Sequence, residues 1–132
     1  KPTADTAQKQ WTPSTGSDNY AMVDEQPFNG DTDYVSAASA GTYDLYDMSD
    51  LSITPTAIRA VQTVLAGRKD DATTRTVRSK LKSASTTANG ATQGMAASYG
   101  MFVDTYENDP ATSAAWTASA VSALQAGVEV VS

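Results

Sequence analysis

The segment Thr74–Lys82, TRTVRSKLK, constrains the fold more than any other. In an extended chain Val77, Ser79 and Leu81 fall on one side, and Thr76, Arg78, Lys80 and Lys82 on the other. A strand with one apolar and one wet face belongs in an antiparallel sheet, and that sheet needs a second layer over its apolar side. Thr42–Met48 repeats the pattern, with Tyr43, Leu45 and Asp47 on one face and Thr42, Asp44, Tyr46 and Met48 on the other. Tyr20–Val23, Tyr34–Ala37, Tyr99–Tyr106 and Val128–Val131 read as further short strands. Turn signals at Asn29-Gly30 and Asn108-Asp109-Pro110 separate some of them.

Ile58–Arg68 fits a helical stripe through Ile58, Val61 and Leu65 and also a strand. Its β-branched residues and Gly67 favour the strand. With the turn RKDDATT it reads as the first arm of a long hairpin whose second arm is Thr74–Lys82. Ser83–Gly94 reads as a loop turning at Asn89-Gly90. Thr117 can cap a short helix over Ala118–Leu124, with Gly127 as its stop. The sum is seven or eight short strands and one helix, and the 18 threonines suit it. The expected fold is mainly β: an antiparallel β-sandwich of jelly-roll type over residues 19–132, with one short helix near the C-terminus. Residues 1–18 read as an extended N-terminal arm. Trp11 is its one large apolar group, free to dock on its own domain or on a neighbour.

Charge is unevenly spread. Residues 1–50 hold nine acids and two lysines, whereas residues 51–85 hold seven bases and two acids. The net charge of −6 argues against nucleic acid as a partner, because phosphate binding needs a basic footprint. No apolar run approaches a membrane span, and no signal peptide is evident. The basic segment predicts instead a face that meets an acidic face of a neighbour. Its candidate contact residues are Arg75, Arg78, Lys80 and Lys82, together with Trp11 and Tyr20.

Histidine and cysteine are absent, which removes the commonest general base, a thiol nucleophile and the usual zinc ligands. The acid pairs Asp24-Glu25 and Asp70-Asp71 are sequence neighbours whose side chains diverge along a strand. So are Ser79-Lys80 and Lys82-Ser83. No catalytic residue and no cofactor are expected. Asp31 and Asp33 sit in an oxygen-rich turn, the one weak candidate for a metal. A complete calcium loop, with its terminal Glu, is missing, so the expected occupant is none.

The order of motifs resembles a group of small virion structural proteins of tailed bacteriophages. It runs through Asn19-Tyr20, Val23-Asp24-Glu25, Asp31–Val35, Asp44-Leu45-Tyr46, Val61-Gln62 and Arg68-Lys69-Asp70-Asp71. It continues through Leu81-Lys82-Ser83, Asp109–Thr112, Ala115-Trp116-Thr117 and Leu124–Val128. The resemblance covers residues 19–131, and the ordered set carries it. It implies a non-enzymatic β-sandwich component of the virion, of the head decoration, head-fibre or tail accessory kind. Its implied partners are other virion proteins, such as a major capsid or tail protein, and further copies of the chain. No functional residue carries over. The glycine usual after Asp-Pro-x-Thr is Ser113 here. The alternative expectation is a carbohydrate-binding adhesin module of a tail or fibre, with a row of exposed aromatics on one sheet face.

Overall fold

Ten short strands stack in two layers in a computed structural model that describes residues 1–132. The chain is mainly β, its sheets are antiparallel, and its one α-helix lies near the C-terminus.

The large sheet has β6 (Thr76–Ser83) and β10 (Gln125–Val130) at its centre. β4 (Tyr43–Met48) pairs with the other side of β10, and β1 (Pro2–Asp5) pairs with β4. On the far edge, β7 (Thr86–Asn89) and β8 (Gln93–Gly94) both pair with β6. Val128 stands opposite both Asp44 and Ser79, so Val77, Ser79, Leu81, Ala126, Val128, Val130, Asp44 and Tyr46 share one face. A second layer crosses part of that face: a two-stranded ribbon of β5 (Val61–Gly67) and β9 (Gly100–Tyr106), with Val64 opposite Val103. A small pair, β2 (Thr12–Pro13) and β3 (Val35–Ser36), completes the set.

In Thr76–Ser83 the inward residues Val77, Ser79 and Leu81 are buried as expected, but Lys80 on the opposite face is buried too. Leu81, Trp116 and Leu124 form the core cluster, with Val61, Tyr106 and Val121 packed around it. The Trp116 indole donates to the Tyr106 carbonyl at 2.9 Å. The helix α1 (Ala118–Ser122) starts where the sequence places it: Thr117 Oγ1 accepts from Ala120 N at 3.1 Å.

Six expectations change. Residues 58–82 form no hairpin. β5 crosses to the second layer and pairs with β9, since pairing with β6 would leave the Leu81 face bare. Residues 83–94 hold two strands, turning at Ala84-Ser85 with Ala84 at φ 48°. Gly90 marks a close approach instead of a turn: a Cβ there would strike the Asp104 carboxylate. Gly127 lies inside β10, where a Cβ would strike the Asp44 carbonyl. Residues Tyr20–Met22 form one 3₁₀ turn and no strand, because the Asp5 carboxylate accepts from Asn19 N and Tyr20 N at 2.9 and 2.6 Å. The N-terminal arm is extended, but it is stitched to its own domain. Gln10 N and Trp11 N donate to the buried Asp44 carboxylate at 2.6 and 2.8 Å, and Asn19 and Tyr46 complete its partners.

Candidate interaction surface

The basic strand is half consumed by its own sheet. Arg78 donates twice to the Glu129 carboxylate, at 2.9 and 3.1 Å. Lys80, also bound to Glu129, is buried, contacts Asn89 Oδ1 at 3.1 Å and lies 4.7 Å from the Tyr43 ring centre. Burial pushes the Glu129 carboxyl up, but the hydrogen bonds from Arg78 and Lys80 outweigh it and hold it below the usual carboxylate value. Arg75 is tied to Asp71 at 2.7 Å and to the Ala38 carbonyl at 2.8 Å. Lys82 is half-buried and in no ion pair. The expected basic docking face is therefore largely an internal lattice: Glu129, on the neighbouring strand, answers it before a partner can.

Trp11 and Tyr20 are placed by the same stitching. The Trp11 indole donates to the Thr42 carbonyl at 3.2 Å, and both side chains are half-buried. Of the two homes open to Trp11, it takes its own domain.

Asp31 accepts from Tyr99 Oη at 2.6 Å and from Arg68 Nε at 3.1 Å, while Asp33 accepts from Asn29 Nδ2 at 2.7 Å. The Tyr99 hydrogen bond, aided by Arg68, lowers the Asp31 carboxyl. Phe28 meets the Tyr99 ring edge-on at 4.8 Å, and Arg68 lies 5.6 Å from its centre. Asp31 thus latches the 26–33 loop to the second layer. Asp31 and Asp33 are not gathered into a group that could hold a metal.

The surface that sequence reading passed over is the ribbon. Its outer face runs through Gln62, Val64 and Ala66 on β5 and Met101, Val103 and Thr105 on β9. Val64, Met101 and Val103 are 59, 66 and 54% exposed, which makes this face the wettest apolar stretch in any of the three sheets. It is aliphatic, whereas the exposed aromatics Phe28 and Tyr34 lie outside it.

Beside the ribbon runs a cleft of about 820 Å³. Its floor includes Val77, Val128 and Val130, which are buried; its walls include Val35, Leu65 and Met95, which are only half-buried. Every residue of β5 borders it, against Met101 alone from β9. Val61 and Thr63 point to the large sheet and Val64 points away, so a cleft bordered by all three is bordered by the strand's edge. β5 makes backbone hydrogen bonds to no strand but β9. The accessible surface of 7326 Å² exceeds the ~6,600 Å² that mass scaling gives for a folded monomer of this size. No family model, curated protein or solved structure matches the chain.

Proposed function

We propose that this chain is a non-enzymatic structural subunit of a tailed-phage virion, a head decoration or head accessory protein that works by binding other protein subunits. The observation that carries the binding part is the ribbon: an uncharged strand, Val61–Gly67, with a free edge and an exposed aliphatic face. Natural edge strands are usually blunted by Lys, Pro or a bulge, and β5 carries none of these. An exposed apolar face of this kind marks a protein interaction site.

The viral part rests on the ordered motifs, and one backbone angle supports it. Ser113 stands where the resembling proteins carry glycine, and its φ is 57°, a conformation that favours glycine. The turn around it matches that need: Thr112 N and Ser113 N both donate to the Asp109 carbonyl.

The mechanism is binding energy alone. Many copies on a repeating lattice make weak single contacts sufficient. The test uses particles from the encoding phage prepared without this subunit. The purified chain should sediment with them at a fixed, saturable stoichiometry. Its absence from native particles, together with no binding to stripped ones, would contradict the proposal.

A further inference from the structure

We infer that the ribbon's partner is a single extended strand of another protein, added to the free edge of β5 and flanked by an acidic residue that meets Arg59. This rests on the subunit-binding reading above and names its geometry. The first support is the edge itself. Seven residues, VQTVLAG, have no charge, no proline and no bulge, and their outward backbone groups pair with no strand. Backbone groups along such an edge are a template for one more strand. At about 3.3 Å per residue, a seven-residue guest would run roughly 23 Å along it.

The second support is the shape of the space. Val35 and Ala37 line the same cleft that β5 borders. The floor at Val77, Val128 and Val130 is already buried. Val35, Leu65 and Met95, which line the cleft, are only half-buried. An extended segment between these walls would cover what the domain leaves wet.

The third support is charge, which decides against a second copy of β5. Antiparallel pairing of two β5 strands centred on Val64, carried two residues past each end of the strand, would bring Arg59 of each copy towards Lys69 of the other. Like charges directly opposite one another destabilise a strand pair. Arg59 is exposed and takes part in no ion pair, whereas Arg68 is neutralised by Asp31 at the other end. A guest with an acid at the Arg59 end and an uncharged, β-branched body fits both features.

Amide hydrogen exchange on the full chain, free and bound to subunit-stripped particles, tests this. The β5 amides that face away from β9 should exchange quickly in the free chain, and binding should slow them about tenfold or more. In the same assay Arg59→Glu should weaken binding by about threefold to tenfold, the range of one partly screened charge pair. Binding that protects other surfaces and leaves β5 unchanged overturns the added strand but keeps the subunit-binding reading. Unchanged or tighter binding of Arg59→Glu overturns the acidic flank. No binding at all overturns both.

Discussion

The two ends of the space between the layers are built differently. At one end Leu81, Trp116 and Leu124 are buried, with the half-buried Val61, Tyr106 and Val121 packed around them, and the cleft reaches this end only at its inner margin, along Leu81 and Leu124. At the other, Val35, Leu65 and Met95 stand half-exposed along a cleft. The difference follows from how many strands cover each end. The large sheet has six strands, and the ribbon over it has two. Trp116 and α1 supply the missing cover at the closed end, whereas at the open end Trp11, Phe28 and Tyr34 line the cleft without closing it. The closed end holds the fold together; the open end leaves apolar surface for something else to cover.

Substitutions can break or sharpen this contrast. The largest effect is expected at Trp116. Trp116→Ala should cost about 3–5 kcal/mol in urea unfolding, since the indole is buried and its N–H is bonded. A loss under about 1 kcal/mol would show that the closed end is not the stabilising one. Asp44→Ala comes next, at about 2–3 kcal/mol, because it leaves Gln10 N and Trp11 N without their acceptor and Asn19 Nδ2 with the Trp11 carbonyl alone. Faster proteolysis within residues 1–18 should accompany it. Leu65→Ala should cost less, about 1–2 kcal/mol, because its side chain is only half-buried. A cost equal to that of Trp116→Ala would erase the contrast. The smallest effect has the opposite sign. Ser113→Gly should stabilise by about 0.5–1 kcal/mol, read as a higher melting temperature, because φ 57° suits glycine.

The legible parts of this fold are those written in local alternation. Val77, Ser79 and Leu81 could be placed because a strand's side chains have a period of two, and Thr117 because a cap is a local bond. Strand partners were not legible. Ile58–Arg68 and Thr74–Lys82 look like hairpin arms in sequence, yet the need to cover Leu81 sends them to different layers. The hairpin at Ala84-Ser85 carries no Asn-Gly signal, while Asn89-Gly90, which does, serves a close contact with Asp104. The basic stripe was visible, but the distant Glu129 that neutralises Arg78 and Lys80 was not. The open ribbon had one overlooked signal: the longest uncharged strand segment lies between Arg59 and Arg68.

That strand is where the central claim, that the chain works through its open edge, is most exposed to contradiction. Val64→Lys puts a charge at a 59% exposed position on the edge strand and leaves the closed end untouched. The measurement is occupancy of the variant on subunit-stripped particles, beside its melting temperature. The account predicts melting within a few degrees of the parent chain and occupancy below about a tenth of it. Full occupancy by a folded Val64→Lys chain would contradict it.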